Sequence, residues 1–469
     1  MKRGVRRFIT FALIGCLLAV SPGIGPVSAQ TKEAGAKAPA AKKTAGTTTR
    51  KSAKKTVRGR RSVPRRPVVS AARKAASAEA VQTHIASAVE FGFQNPAALI
   101  PFYEVLYRHK AGEAGAVRIL HFGDSHTAAD EWPGILRARF QGEFGAGGPG
   151  FVQAGKPWAG FRRLDTKSTM SRGWQPAGLL AKEGDGLYGL SGVSLRARGP
   201  GETLTLEADG ERLQVFFYRQ PDGGRMTLSI DGAEADTIDT AGEAGAGYYE
   251  RKVTPGTHTY LLRTAGDGEV RMFGWVVENQ GGVTWETLGI NGAQADLPLG
   301  WNEQLLRSHI ERRDPALIVL AYGTNEARQR DWTYDSYRQA FTALLTKMRA
   351  AAPAASLLVV GPPDQSLRQR GKWVTHEGVD RIVQAQRDAA LESGAAFWNM
   401  RSGMGGKGSM KQWVYAGLAQ GDFVHLTSPG YRLLGESLYG LMMDTYALFA
   451  ALRQQASGNT THGSSNQDR

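Results

Sequence analysis

The sequence predicts an α/β domain with a parallel sheet, interrupted by an antiparallel β-sandwich. Apolar runs alternate with helical segments before and after a central block, whereas residues 184–278 form short alternating segments separated by Gly-, Asp- and Pro-containing turns. Alternating strands and helices favour a parallel sheet that is covered on both faces. Closely spaced alternating strands are typical of a sandwich. The sandwich is therefore predicted to be an insert in the α/β domain.

The α/β domain is predicted over residues 76–165 and 280–454, with the insert at 166–279. Apolar runs indicate its strands, and signals such as a proline in the first turn indicate its helices. The predicted strands of the α/β domain are 117–122, 284–290, 317–321, 356–360 and 396–399. The predicted helices are 76–90, 96–109, 131–140, 334–352, 378–393 and 428–452. The predicted strands of the insert are 203–208, 213–218, 226–230, 258–263 and 270–277, and residues 455–469 are predicted to be a disordered tail.

The first residues, 1–29, have the pattern of a secretory signal peptide. A basic start precedes the apolar stretch 8–20, and Ala29 ends a small-residue cleavage site. Residues 13–16 also resemble a bacterial lipobox, in which Cys16 would carry the lipid. Because the residues after Cys16 stay apolar, we expect cleavage after Ala29. The protein would then be exported to the periplasm or cell envelope, and its mature form would have no cysteine for a disulfide or for thiol chemistry.

The net charge of +15 is concentrated before the predicted domains. Residues 31–74 hold fifteen Lys and Arg residues against one Glu, with almost no large apolar side chain. Such a segment cannot build a core, so residues 30–75 are predicted to be a disordered basic linker. Its charge would also suit adhesion to an anionic envelope polymer or a membrane surface. We expect no nucleic-acid partner, because the export signal takes the protein away from nucleic acid.

Four polar residues occupy the positions at which an open α/β sheet holds its active site, the loops after the carboxyl ends of its strands. Ser125 follows the first strand in Gly123-Asp-Ser-His126, and Asn325 follows a later one. Asp422 and His425 precede the final helix. Each motif alone is common in turns and caps. The combination is more specific, because together they supply every part of an activated serine.

A serine hydroxyl becomes a nucleophile when an imidazole takes its proton, and a carboxylate holds that imidazole in the right tautomer. The spacing of Asp422 and His425 allows one turn of backbone to bring the two side chains together, with Ser125 at the other ring nitrogen. Asn325 could donate to the anionic intermediate. His126 is a rival base, but adjacent side chains point apart, so a structural or substrate-contacting role is expected for it.

These blocks resemble the SGNH (GDSL-type) hydrolases, whose signature residues are Ser, Gly, Asn and His. The resemblance implies a flavodoxin-like parallel sheet, with Ser125 as the nucleophile and Asp422 and His425 as the orienting acid and the base. It also implies an oxyanion hole of Asn325, the Ser125 amide and a glycine. Gly292 fits that glycine, with Gly289 as the alternative. Glu326 stands where the family has an aspartate, which puts the local bracing in question.

Residues 396–413 and 424–431 more narrowly resemble the branch that includes bacterial peptidoglycan O-acetylesterases. In those enzymes a carbohydrate-binding-like β-sandwich interrupts the catalytic domain, no metal or cofactor is needed, and acetyl leaves the 6-hydroxyl of N-acetylmuramic acid. We expect His126 and Trp413 to contact the substrate, with Trp158 and Trp174 also candidates for a glycan-lining surface. Aromatic residues of the insert, such as Trp275, could stack on sugars or fill its core.

The sequence therefore predicts an exported serine esterase that removes O-acetyl groups from an envelope polysaccharide, with peptidoglycan as the expected partner. An acetylesterase or a transacetylase for another glycan is an alternative within enzymes. A wall-binding protein that keeps an inactive hydrolase frame is an alternative from another class. The sugar, the acyl-chain length and the oligomeric state stay open at this point.

Overall fold

The computed structural model describes residues 69–87, 92–181 and 183–463, and describes side chains of the last helix as far as residue 455. The predicted signal peptide lies outside the described residues, as do the basic linker up to residue 68 and the tail after residue 463. None of the described helices has the length and apolarity that crossing a membrane requires.

The helices and strands are numbered here in chain order. The helices are α1 (Ala71–Ser87), α2 (Ile100–Lys110), α3 (Ser125–Ala128), α4 (Glu131–Phe144), α5 (Glu303–Arg313), α6 (Tyr334–Ala351), α7 (Gly378–Glu392), α8 (Met400–Gly403), α9 (Ser409–Ala416) and α10 (Ser428–Gly463). The strands are β1 (Val117–Gly123), β2 (Gly150–Gln153), β3 (Lys167–Met170), β4 (Gln175–Gly178), β5 (Val193–Ala197), β6 (Thr203–Asp209), β7 (Arg212–Arg219), β8 (Arg225–Ile230), β9 (Ala233–Asp239), β10 (Gly245–Lys252), β11 (Thr257–Thr264), β12 (Val270–Glu278), β13 (Val283–Gly289), β14 (Leu317–Ala321), β15 (Ser356–Val360), β16 (Ser366–Gln369), β17 (Lys372–Thr375) and β18 (Ala396–Trp398).

Five parallel strands form the central sheet, in the order β13-β1-β14-β15-β18. Every residue of β14 is buried. Its alternate side chains face opposite sides: Leu317 joins an apolar cluster with α2, α4 and α10, whereas Ile318 joins a cluster with α5, α6 and α7. A strand without a polar side is what a sheet covered on both faces requires. The predicted α/β fold is confirmed.

Two antiparallel sheets form the predicted sandwich, with strand orders β10-β7-β12-β5-β4 and β3-β6-β11-β8-β9. Leu213 and Val215 of β7 face the core between the two sheets. Phe216 points the opposite way, into the cluster shared with α5, where its ring centroid lies 5.1 Å from that of His309. One sheet of the sandwich is therefore buried on both faces, between its own core and the α/β domain.

Strand β2 belongs to the sandwich although it precedes the boundary predicted at residue 166. It pairs antiparallel with β12, from Gly150 opposite Val277 to Gln153 opposite Gly274. Val152 enters the sandwich core, and Phe151 enters the cluster that faces the α/β domain. The short Gly-rich segment before β2 resembles an exit loop in sequence, so the strand was not predicted.

Further strands were not predicted, because their alternation of apolar and polar residues is weak, and two helices are longer than predicted. Strands β3, β4, β5, β9 and β10 were not predicted; in β9, for example, Ile238 is the single buried residue. The hairpin of β16 and β17 was also missed. Helix α1 begins at Ala71, inside the predicted linker, and α10 continues to Gly463, inside the predicted tail. The residues that α1 adds, 71–75, are alanine, arginine and lysine, which are good helix formers. Those that α10 adds from the predicted tail, 455–463, include Gly, Asn and Thr, and their composition does not favour a helix.

A buried ion cluster joins the sandwich to the α/β domain. Arg313 at the end of α5 is fully buried and pairs with Glu278 of β12 and Glu286 of β13. Arg118 of β1 also donates to Glu278, at 2.9 Å. Burial alone would raise the pKa of Glu278, but the charges of Arg313 and Arg118 hold it well below its usual value. Each charge in this junction therefore depends on its partners to offset the loss of water.

Candidate active site

The carboxyl ends of three neighbouring strands bring the candidate residues together. Ser125 follows β1, Gly292 lies shortly after β13, and Asn325 follows β14, while His425 comes from the loop before α10. All four line one cavity of about 880 Å³. Residues separated by three hundred positions in the chain therefore meet at one edge of the sheet, as the position of the motifs predicted.

The turn that presents Ser125 depends on Gly123. A β-carbon at Gly123 would lie 2.2 Å from Thr127 Oγ1 and 2.6 Å from the carbonyl oxygen of Ala321, so no other residue fits there. Asp124 then caps the short helix α3 by accepting from the His126 amide at 2.9 Å. Ser125 is the first residue of α3, where amides lack a partner within the helix. Its hydroxyl and its backbone N–H are both available at the cavity.

Ser125, His425 and Asp422 form a continuous hydrogen-bonded chain. The Ser125 Oγ lies 2.9 Å from Nε2 of His425, and Nδ1 of the same ring lies 2.7 Å from Oδ2 of Asp422. These distances are within the reach required of a nucleophile, a general base and the group that orients it. The geometry can move a proton from the serine to the imidazole without rearrangement.

The loop that holds Asp422 and His425 is a tight turn with an unusual backbone. Oδ1 of Asp422 accepts from the amides of Val424 and His425, both at 3.0 Å. Phe423 between them has a φ of 59°, a left-handed conformation that is strained for a bulky residue. The ring of Trp373 from the hairpin of β16 and β17 stacks on Phe423 with centroids 3.9 Å apart. The hairpin thus holds the turn in the conformation that joins the acid to the base.

Asp422 and His425 each stabilise the charged form of the other. Burial lowers the pKa of His425, but the hydrogen bond and charge of Asp422 outweigh it, so that the pKa lies above the ordinary value of 6.5. Burial raises the pKa of Asp422, and the interaction with His425 more than offsets this, so that its pKa is lowered. Only the neutral imidazole can accept the serine proton. A reaction that uses His425 as its base should therefore slow as the pH drops through the raised pKa of this residue.

Three donors can face the oxyanion of a tetrahedral intermediate. Gly292 has a φ of 84°, and within the described residues its backbone N–H makes no hydrogen bond. Asn325 uses one N–H of its side chain on the carbonyl of Ala293, at 2.8 Å, which leaves the other for a substrate. The amide of Ser125 is the third donor. Gly289, the alternative glycine, does not line the cavity, since it pairs with Gly123 and lies against Ala128.

Glu326, which stands where the family has an aspartate, holds the segments around Asn325 in place. Its Oε1 accepts from the amide of Ala295 at 2.8 Å and from the hydroxyl of Tyr337 at 3.2 Å. The carboxyl therefore connects the turn that carries Asn325 to the segment that carries Gly292. Burial, assisted by the charge of Asp124, raises the pKa of Glu326 to about 8.

The structure places His126 away from a substrate. The residue is 3% exposed and does not line the cavity. Its Nδ1 contacts the Tyr431 hydroxyl at 2.9 Å, and its ring stacks on that of His425 at a centroid distance of 5.2 Å. Burial, together with the charge of His425, lowers its pKa to about 3, so the ring is neutral. The expected substrate contact is wrong, whereas the alternative of a structural role agrees with this packing.

The tryptophans expected to line a glycan surface are not exposed. Trp413 lies on α9 with no exposed surface, and its indole N–H donates to the Met404 carbonyl at 2.8 Å. The substrate contact expected of Trp413 is therefore wrong. Trp174 is buried in the sandwich core, as is Trp275. Trp158 is half-buried and packs against the ring of Phe161. Gly-rich neighbours indicated loops, but the rings themselves fold inwards.

The cavity also has a charged rim that the sequence did not indicate. Arg162 pairs with Glu131 at 2.5 Å, and Ser428 donates to the same carboxylate at 2.8 Å. Glu131 and Ser428 are the first residues of α4 and α10, so two helix starts and one arginine meet beside the candidate nucleophile. The sequence predicts a helix start at both positions. It does not show that the two helix starts lie close together, because that depends on the fold.

The comparisons with known proteins agree with this site. The profile of the GDSL-like Lipase/Acylhydrolase family matches residues 246–433, a range that contains Asn325, Asp422 and His425. Ser125 lies before this range and follows β1 of the same sheet. Over that range the chain is similar to the GDSL-like lipases and acylhydrolases. No curated protein matches the chain.

Among solved structures, the chain is similar to a peptidoglycan O-acetylesterase, with 28% identity and a TM-score of 0.64 over 74% of this chain and 96% of that chain. A family two carbohydrate esterase from Clostridium thermocellum, in complex with cellohexaose, has 12% identity and a TM-score of 0.27 over 54% of this chain and 95% of that chain. A family two carbohydrate esterase from Cellvibrio japonicus has 11% identity and a TM-score of 0.27 over 60% and 98%. Only the first likeness is close enough to bear on this protein.

Proposed function

We propose that this protein is a serine esterase that removes O-acetyl groups from an envelope polysaccharide, and that the polysaccharide is peptidoglycan. The hydrogen-bonded chain of Ser125, His425 and Asp422 at the cavity carries the proposal of a serine esterase. The likeness to a peptidoglycan O-acetylesterase supports the choice of substrate.

In the proposed reaction, Ser125 Oγ attacks the carbonyl carbon of the acetyl ester while Nε2 of His425 takes its proton. The oxygen that becomes anionic accepts hydrogen bonds from the amides of Ser125 and Gly292 and from the side chain of Asn325. The imidazolium then returns the proton to the sugar oxygen, the ester bond breaks, and acetyl-Ser125 remains. Water attacks this second ester with the same base, which releases acetate and restores the serine.

The proposal includes a location outside the cytoplasm, which rests on the pattern of residues 1–29. Sequencing the amino terminus of the protein from the envelope fraction tests this part. A mature form that begins at Gln30 supports cleavage, whereas a lipid on Cys16 would show an anchored lipoprotein instead. Deleting residues 31–74 and measuring retention on isolated cell walls at low salt tests adhesion by the basic segment.

The direct test measures acetate release from O-acetylated peptidoglycan beside acetylated xylan, with wild type and Ser125→Ala. We expect the wild type to release acetate faster from peptidoglycan and the variant to release almost none. Equal or greater release from xylan would reject peptidoglycan as the preferred substrate. Adding an unacetylated sugar acceptor and analysing the products would show whether acetyl passes to water or to the acceptor.

A further inference from the structure

A second cavity, of about 890 Å³, lies beside the candidate active site. It is formed by the turn that follows Asn325, the hairpin of β16 and β17, and the start of α7. We call it the basic pocket, because three arginines line it: Arg328, Arg330 and Arg381. Glu377 is the only carboxylate among its described lining residues.

The arginines of the basic pocket are not neutralised by the protein. In the described part of the chain, no carboxylate lies within ion-pair distance of Arg328, Arg330 or Arg381, whereas nearby Arg401 pairs with Asp364 and Asp380. Nε of Arg381 is buried without a hydrogen-bond partner among the described residues. Nη2 of Arg381 donates to the Gln329 carbonyl at 3.4 Å, so the buried Nε is the donor that lacks a partner, and an anionic ligand would supply one. Arg328 and Arg330 are exposed, so their charges are accessible to such a ligand.

The basic pocket adjoins the catalytic loop through the turn after Asn325 and through two contacts of the hairpin. Arg328 follows Asn325 by one short turn, and its positive charge contributes to the lowering of the pKa of His376 in the pocket and opposes the raised pKa of His425. The hairpin that forms one wall donates from the Ser366 amide to the carbonyl of Phe423, at 3.0 Å, and stacks Trp373 on the same residue. A polymer whose acetyl ester lies at Ser125 can therefore extend over this wall.

We propose that the basic pocket binds a carboxylate of the same polymer whose acetyl group reacts at Ser125. Arginine matches a carboxylate through two parallel hydrogen bonds, and a neutral glycan offers no negative charge to three arginines that form no ion pair with the described residues. Peptidoglycan carries carboxylates on its peptides, and also on the lactyl groups that hold no peptide, since an attached peptide converts the lactyl carboxyl to an amide. This inference rests on the proposed function and adds a preference for charge next to the ester.

The experiment uses one peptidoglycan preparation in two forms. Carbodiimide coupling with methylamine converts its carboxylates to neutral amides and leaves the sugar and the acetyl ester in place. For wild type, we expect KM to rise roughly tenfold on the amidated form, as expected for the loss of a charged contact, with kcat changed less. Arg330→Gln should raise KM on the native form towards the same value, and Arg330→Glu should raise it further. Arg172→Gln on the sandwich makes the same change of charge and should leave the KM ratio of the two forms unchanged.

Each outcome separates the inference from the proposed function. Equal KM values on the two forms, or a ratio that Arg330→Glu does not change, would overturn the inference while acetate release upheld the esterase. Absence of acetate release from both forms would reject the proposed function itself. A third form, in which an amidase has hydrolysed the lactyl–peptide bond, loses the peptide carboxylates and gains a lactyl carboxylate at each cleaved site, and it tests which carboxylate the pocket accepts. If this form keeps the low KM, a lactyl carboxylate is sufficient for the pocket, and if its KM rises to that of the amidated form, the pocket requires a peptide carboxylate.

Discussion

The central sheet and the sandwich differ in where their candidate functional side chains lie. At the carboxyl ends of β1, β13 and β14, polar side chains lie half-exposed around one cavity. In the sandwich, the aromatic side chains that could have bound sugar fill the core instead; Phe217 and Trp275 are almost completely buried. The difference teaches that position in the topology identifies function better than residue type does. An aromatic side chain in a strand mainly fills the hydrophobic core.

The α/β domain and the sandwich share a buried junction, unlike two domains that are joined only by a linker. The sheet that contains β7 and β12 is buried on both sides, and the ion cluster of Arg313, Glu278 and Glu286 lies at the junction. Changes in the cavity should therefore affect catalysis alone, whereas changes at the junction should affect the folding of both parts.

The largest expected effect is on the chemistry. Ser125→Ala removes the proposed nucleophile and should lower kcat for p-nitrophenyl acetate by on the order of 10⁴–10⁶, the effect of such a change in a serine hydrolase. Thermal unfolding should be unchanged, because the side chain is small and lines the cavity. A variant that keeps a tenth of the activity would exclude the acyl-enzyme route.

The next effect is at the junction. Arg313→Met leaves Glu278 and Glu286 buried without their main partner, and should lower the free energy of unfolding by about 3–5 kcal/mol. Urea unfolding of the full chain measures this. Arg307→Met on the same helix breaks an exposed pair with Glu303 and should cost only a few tenths of a kcal/mol. Equal effects of the two variants would contradict the role given to the junction.

A smaller catalytic effect separates the oxyanion donors from the triad. Asn325→Ala removes one donor and should lower kcat by roughly 10²–10³, with a smaller change in KM. Asn399→Ala is a matched control, because Asn399 caps α8 outside the cavity by accepting from the Ser402 amide at 3.2 Å. It should lower stability slightly and leave kcat at the wild-type value. A normal kcat for Asn325→Ala would remove this residue from the oxyanion hole.

The most gradual effect concerns Glu326 and appears as a dependence of the unfolding free energy on pH. Its pKa rises from 4.5 to about 8 on folding, so its contribution to stability is complete below pH 4.5 and is lost as the pH rises through about 8. The loss amounts to roughly 1.4 kcal/mol per pH unit within that interval. Glu326→Gln cannot ionise and should remove this slope from the unfolding free energy. Glu436→Gln, at an exposed pair with Arg139, should keep the wild-type profile. An unchanged slope in Glu326→Gln would show that another group titrates.

The sequence was sufficient for the fold class and for the convergence of Ser125, Asn325 and His425, because strand ends follow from the alternation of strands and helices. It did not reveal the burial of Trp413, since a Gly-rich neighbourhood is equally consistent with a loop and with a helix end. Arg162 was missed for a different reason. Its place at the cavity depends on the path of the chain between β2 and β3, which no local pattern encodes.

Strand β2 has a consequence for evolution and engineering. Because a stretch upstream of the insert completes the sandwich by pairing with β12, the insert cannot be excised as one continuous cassette. Removing residues 166–279 would leave Phe151 and Val152 without the strands that cover them. Grafting the same stretch onto another host would expose an open edge along β12. The two parts have thus lost modularity, and they can be exchanged only together.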